Sequence, residues 1–244
     1  MDQNGSKRNV NNSMKILALD TATKSCSVAL TENGSLSAEL TTLKDQTHSK
    51  HLMDLIHSVF EICGFGLSDV DGFAVTIGPG SFTGLRIGIS TIKGLAHAVG
   101  KPVVGISSLK ALAWQCADQN LLICPFLDAR KGEVYWATYR YEGARFVQKT
   151  AARATAPETA FENIKEPCVF IGNGAQLYRK QITTELGYFA HFVPKDKDIL
   201  RASSIAFLSM ERFNAKDTDE IAGLTPHYIR KSDAELKFDN KYSC

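Results

Sequence analysis

The sequence predicts an α/β protein built from two tandem halves, and three observations predict it. An apolar run ending in aspartate occurs twice, at Lys15-Ile16-Leu17-Ala18-Leu19-Asp20 and at Ile123-Cys124-Pro125-Phe126-Leu127-Asp128. β-prone runs follow each of these and flank a two-residue turn, Asn33-Gly34 in the first half and Glu142-Gly143 in the second. Each half then passes through a helical stretch to a β-rich run closed by glycines, Gly78-Pro79-Gly80 or Gly172-Asn173-Gly174, and on to another helix.

Taken in order, residues 15–20 read as a buried central strand because the apolar run is continuous. Residues 25–31 and 35–43 read as the next two strands, joined at Asn33-Gly34. Helical spacing takes over at His48: Leu52, Leu55, Ile56, Val59, Phe60 and Cys63 recur at steps of three and four, and Gly64 supplies a stop. Residues 73–77 form a strand, a helix runs from about Thr83 to Val99, and Val103-Val104-Gly105-Ile106 adds one more strand.

In the second half, residues 134–141 and 145–147 mirror the first hairpin, a short helix covers 157–163, and a helix covers 175–185. Ser107-Ser108-Leu109 and Ser203-Ser204-Ile205 each precede a further helix. The offset between halves is 108 residues at the aspartates of 20 and 128 and 94 at the turns of 78 and 172, so the second copy has a shorter first helix.

Composition excludes several classes. The chain has 244 residues, 44% hydrophobic content and a net charge of +2, so it can bury large cores but carries no field strong enough for tight nucleic-acid binding alone. Six cysteines at 26, 63, 116, 124, 168 and 244 form no Cys-x-x-Cys pair, which reads as reduced thiols of a cytoplasmic protein. Residues 1–13 are polar and Asn-rich without the apolar core of a signal peptide, and are expected to be a disordered extension before a folded region that starts at Met14. No apolar stretch approaches the ~18 residues of a membrane span.

The most distinctive stretch is Gly78-Pro79-Gly80-Ser81-Phe82-Thr83-Gly84-Leu85-Arg86-Ile87-Gly88. It joins a strand to a helix start, with Ser81 or Thr83 placed to cap the helix. It holds no Lys for a P-loop, its third glycine falls one residue late for a dinucleotide fingerprint, and Ser81 directly follows a glycine, unlike Gly-x-Ser-x-Gly. Histidines 48 and 51, three apart on one helix, could share a metal, but no third ligand is suggested beside them and a solvated or interface helix is the better reading.

Two tandem β-β-β-α-β-α-β-α halves describe the actin-like ATPase fold of actin, hexokinase and Hsp70: two ribonuclease-H-like domains, each a mixed five-stranded sheet flanked by helices, facing each other across a cleft. The expected boundaries are 14–107 and 108–235, with a tail at 236–244 and a last helical segment that packs back on the first domain. The pattern licenses a shape and not an activity.

The eleven-residue glycine string resembles that of the TsaB (YeaZ) family, the non-catalytic partner subunits in the bacterial pathway that makes threonylcarbamoyladenosine in tRNA. Leu17-Ala18-Leu19-Asp20-Thr21-Ala22-Thr23, His48-Ser49 and Thr225-Pro226-His227-Tyr228-Ile229-Arg230 support the resemblance, which covers residues 14 to about 235. It implies a subunit that works with TsaD and the TsaE ATPase in placing threonylcarbamoyl on N6 of the adenosine beside the anticodon. It also implies a homodimer when TsaD is absent, tRNA contact only through the complex, and no membrane partner.

The resemblance places the partner interface on the first two helices, at His48, Leu52 and Leu55 and at Gly84, Arg86 and Gly88. The two glycines lie four apart, where missing side chains admit a helix of the same domain or of a partner. A bulky residue at Gly88 is then expected to abolish the complex and spare the monomer.

Asp20 and Thr21, with Gly78, Gly80 and Ser81, stand where the superfamily contacts nucleotide. No cofactor is expected to be required, and weak ADP or ATP contact is expected only at a subunit boundary. The second half reads Asp128-Ala129-Arg130-Lys131-Gly132 where a second phosphate loop wants Asp-x-Gly. Ser108 and Leu112 occupy the positions of the metal histidines of TsaD, so no metal is expected. The alternative from another class is a stand-alone small-molecule kinase of the same superfamily, which needs two intact phosphate loops.

Overall fold

The structure is a computed structural model that describes residues 14–43, 48–116, 120–143 and 145–230; of residues 48–50 it describes the backbone alone. The expected extension at 1–13 and the tail at 236–244 lie outside the described residues.

The first half runs β1 (Lys15–Asp20), β2 (Cys26–Glu32), β3 (Ser35–Thr42), α1 (His48–Cys63), β4 (Gly72–Gly78), α2 (Phe82–Val99), β5 (Val103–Ser107) and α3 (Ser108–Trp114). Its five-stranded sheet has the order β3-β2-β1-β4-β5, with β1 antiparallel to β2 and parallel to β4. Asn33 and Gly34 both take positive φ, 53° and 76°, the type I′ geometry whose twist matches the flanking strands.

The second half runs β6 (Leu122–Arg130), β7 (Glu133–Trp136), β8 (Tyr139–Glu142), β9 (Arg145–Gln148), β10 (Arg153–Thr155), α4 (Pro157–Glu162), β11 (Cys168–Ile171), α5 (Asn173–Leu177), α6 (Arg179–Leu186), β12 (Ala190–Phe192) and α7 (Ala202–Asn214). The path β10-β7-β6-β11-β12 repeats the first sheet strand for strand, with β8 and β9 added as a hairpin on β6.

That repeat corrects three details of the sequence reading. The third strand of the second half is β10, and the Glu142-Gly143 turn joins the inserted β8 and β9. The β-prone run 134–141 is broken after Trp136, because Thr138 turns away to bond Thr150 Oγ1 through both its amide (2.9 Å) and its hydroxyl (3.0 Å). The helical run 175–185 is two helices, α5 and α6, parted at Tyr178, where φ and ψ are −100° and 12°.

Three cores bind five layers, the middle one spanning the helices between the two sheets. Leu17, Leu19, Phe73 and Val75 face α1 and α2, where Leu52, Ile56, Val59, Ile89 and Ile92 meet them. Ile16, Ala18, Ala74 and Val104, on the opposite face of the same sheet, pack with Leu109 and Leu112 of α3 and Ile205 and Ala206 of α7. Ile123, Leu127, Val169 and Ile171 close that middle layer from the second sheet, so α3 and α7 lie between the sheets. Phe126, Trp136 and Phe170 point away from it onto α4, α5 and α6. This is the layering of the actin-like ATPase fold.

The middle layer explains why β1 is apolar at every position from Ile16 to Leu19: the strand is buried on both faces. It also explains how α7 begins. Arg201, its N-cap residue, makes no side-chain cap; instead Ser27 Oγ accepts the Ala202 amide (3.0 Å) and Glu39 Oε1 accepts the Ser203 amide (2.9 Å). The orphan amides of the helix start are satisfied from the other half of the molecule.

Candidate functional site at the glycine turn

β1 ends at Asp20 and β4 ends at Gly78, so the 21–25 loop and the glycine turn meet at the same end of the first sheet. The two segments are packed on each other. Ser81 donates its amide to Ala22 O (2.7 Å), and Thr21 Oγ1 donates to Gly84 O (2.7 Å). Ser81 caps α2 by accepting the Gly84 amide at 3.2 Å, as the sequence suggested.

The glycines make this contact possible. A Cβ at Gly80 would fall well inside 3.0 Å of Ala22 O, one at Gly84 equally close to Thr21 O, and one at Gly88 equally close to Thr21 Oγ1. This corrects the role expected of Gly84 and Gly88. Both are buried, and their missing side chains admit the chain's own 21–22 loop, not a partner's helix. Leu52 is corrected likewise: at 1% exposure it belongs to the core between α1 and the first sheet. A bulky residue at Gly88 would therefore strike β1 and its loop before it reached any partner.

The remaining interface candidates differ in placement. Arg86 is exposed, Leu55 is half-buried, and the His48 side chain lies outside the described residues. Met53 and Ile62, exposed by 50% and 62% on α1, were not singled out from sequence, though each is an apolar residue off the helix's core-facing stripe.

The five residues named for nucleotide contact do come together. Asp20 Oδ1 accepts from Thr76 Oγ1 (2.7 Å) and from the Ala22 amide (3.0 Å), while Asp20 Oδ2 is buried with no partner among the described residues. Burial pushes the Asp20 carboxyl up to about 6, against the pull of those donors. Burial also pushes the neighbouring Cys26 thiol up to about 12, with the Asp20 charge adding to it. Thr21 and Ser81 spend their hydroxyls within the same cluster.

In the second half the corresponding turn is held by Asp128, whose Oδ1 accepts the Arg130 amide at 2.8 Å and whose own amide donates to Asn173 Oδ1 at 3.0 Å. Gly172 and Gly174 are packed on the Phe126 carbonyl, and Gly172 donates its amide to the Asp198 carboxylate. Ser108 and Leu112 are both buried on α3. Among the described residues no three or more His, Cys, Asp or Glu side chains are placed to hold a metal, and no helix is long and apolar enough to cross a membrane.

The comparisons agree with this architecture. The family model described as "TsaD: tRNA N6-adenosine threonylcarbamoyltransferase" matches residues 41–238. "tRNA threonylcarbamoyladenosine biosynthesis protein TsaB" of Bacillus subtilis (strain 168) is 32% identical over 228 residues, covering 92% of this chain and 98% of the relative. The TsaB of Escherichia coli (strain K12) is 31% identical over 236 residues, covering 93% and 100%. The solved structure "YeaZ from Pseudomonas aeruginosa" superposes with a TM-score of 0.75 at 27% identity, covering 88% of this chain and 99% of that one. A TsaD-type domain, TsaB relatives matched almost end to end and a YeaZ structure matched almost end to end lead to one assignment: the chain belongs to the TsaB (YeaZ) family.

Proposed function

We propose that this chain is a non-catalytic subunit for the synthesis of threonylcarbamoyladenosine in tRNA, acting with TsaD and the TsaE ATPase in the cytoplasm. The observation that carries this reading is the near full-length match to relatives named for that pathway. These relatives lend no support to a stand-alone kinase.

The local geometry is consistent with a degenerate site. At the first phosphate-loop position the loop and the glycine turn spend their hydroxyls and close approaches on each other, and at the second Asp128 holds its own turn. On this reading the chain supplies no acid, base or nucleophile and requires no cofactor, and ADP or ATP binds only at a subunit boundary. It acts by favouring the active arrangement of TsaD, a coupling free energy between subunits.

The exposed side of α1 and α2 is the surface for that partner, with Met53, Leu55, Ile62 and Arg86 in place of the buried Leu52, Gly84 and Gly88. A homodimer occupies the same face when TsaD is absent, and tRNA is met only through the complex.

The test is an omission assay with TsaD, TsaE, the threonylcarbamoyl-AMP synthase, ATP, threonine, bicarbonate and unmodified tRNA. Modified adenosine is expected only when this chain is added. Equal yield without it would refute the proposal.

A further inference from the structure

Among the described residues past α7, 215–230 form no helix or strand, yet contacts hold them in place. Asp219 donates its amide to Val103 O (2.9 Å) and accepts the Gly105 amide (2.7 Å), which fastens this segment to the edge strand β5. Arg212 binds Asp217 and Asp219 together, and Lys93 of α2 donates to Ala222 O (2.8 Å) and Leu224 O (3.0 Å). Residues 225–230 then run along the end of the first half and reach the second.

His227 donates its amide to Ile77 O at 2.6 Å, at the end of β4. Its carbonyl lies 2.7 Å from where a Cβ of Gly78 would be, so the glycine turn opens with a seat for this strap. Tyr228 stacks on Phe82 with ring centroids 4.3 Å apart and planes within 14°, and its hydroxyl accepts from Arg86 Nε at 2.9 Å. Ile229 packs on the core between the sheets. Two residues beyond Tyr228, Arg230 Nη1 donates to Ala129 O and to Glu133 Oε2, both at 2.9 Å, on the β6–β7 hairpin of the second half. Within four residues the strap is tied to the end of β4, the first turn of α2, the middle layer and the far hairpin.

We propose that residues 225–230 are a mechanical link that couples the N-terminal end of α2, through the exposed Arg86 and its partner Tyr228, to the β6–β7 hairpin, through Arg230. The hairpin is suited to respond. Arg130 and Lys131 sit at φ of 66° and 55°, left-handed conformations that non-glycine residues hold only when their surroundings impose them. Arg230 bonds the Ala129 carbonyl directly ahead of that pair and the Glu133 carboxylate directly after Gly132. The half-buried Arg230–Glu133 ion pair, with side chains 15% and 37% exposed, is shielded enough to restrain the turn. Whatever engages Arg86 and withdraws it from Tyr228 loosens the strap, and a change at the hairpin is felt equally at α2, since coupling is reciprocal.

The experiment is amide hydrogen exchange on the full chain, read at residues 130–134, for two variants. Arg230→Met cuts the hairpin end and is expected to raise exchange there about tenfold. Tyr228→Phe keeps the stack on Phe82, removes only the hydroxyl that holds Arg86, and touches no atom of the hairpin. It is expected to raise the same exchange several-fold while β1 and β4 amides stay protected. Faster hairpin exchange in both variants supports the link. A hairpin unchanged in Tyr228→Phe but loosened in Arg230→Met shows a purely local clamp and overturns the coupling. A hairpin unchanged in Arg230→Met overturns the link itself.

Discussion

Replacing Asp20 with Asn tests the electrostatics of the site directly. Asp20 is fully buried at the end of β1, with Oδ1 bonded to Thr76 and the Ala22 amide and Oδ2 without a partner among the described residues. Burial outweighs the hydrogen bonds that favour the charged form, and the carboxyl is pushed from 3.8 to about 6. The folded state therefore holds the Asp20 proton more tightly than the unfolded chain does. The stability this group contributes is fully present below pH ~4 and is lost as pH rises through about 6. A shift of about two units, at about 1.36 kcal/mol each, makes the loss about 3 kcal/mol by pH 8.

Asparagine keeps an oxygen for Thr76 and Ala22 and does not titrate, although its amide, like the protonated acid, leaves a buried donor unpaired. Urea unfolding of both proteins from pH 4 to pH 8 isolates this residue from every other titrating group. The stability of Asp20→Asn relative to the native protein is expected to rise by about 3 kcal/mol across that range. A difference that stays flat with pH would refute the assignment of a buried, proton-retaining carboxyl at this position.

Further outcomes follow from the packing. Gly84→Ala places a methyl against the Thr21 carbonyl and is expected to lose about 3 kcal/mol or more, whereas Gly94→Ala, on the same helix with nothing within 4 Å, gains up to about 1 kcal/mol; urea unfolding of the pair checks both. Glu39→Gln weakens the capping of α7 across the two halves and is expected to cost about 1–2 kcal/mol, measured the same way. At pH 8 a thiol reagent is expected to modify the half-buried Cys63 before Cys26 and Cys116, whose thiols burial pushes up to about 12, and peptide mapping with time reads the order.

The duplicated plan was legible because each half repeats strong local signals. Asp20 and Asp128 end apolar strands, Asn33-Gly34 can only turn, and the three- and four-residue spacing from Leu52 to Cys63 suits only a helix. The glycine string likewise marked the right place, since a close backbone approach demands glycine whatever approaches.

What approaches was not legible. Gly84 and Gly88 would present the same sequence to a partner helix or to the chain's own loop, and only the fold brings Thr21 onto them, 63 positions away in the bond from Thr21 Oγ1 to Gly84 O. The same holds for the break between β7 and β8. It depends on Thr150 reaching back to Thr138, in a run most of whose residues favour strand. Periodicity and turn chemistry are local properties, written in neighbouring residues. The facing of a glycine, the pKa of Asp20, the capping of α7 by Ser27 and Glu39 and the reach of Arg230 to Glu133 depend on which distant segments share a space, and tertiary packing alone decides that.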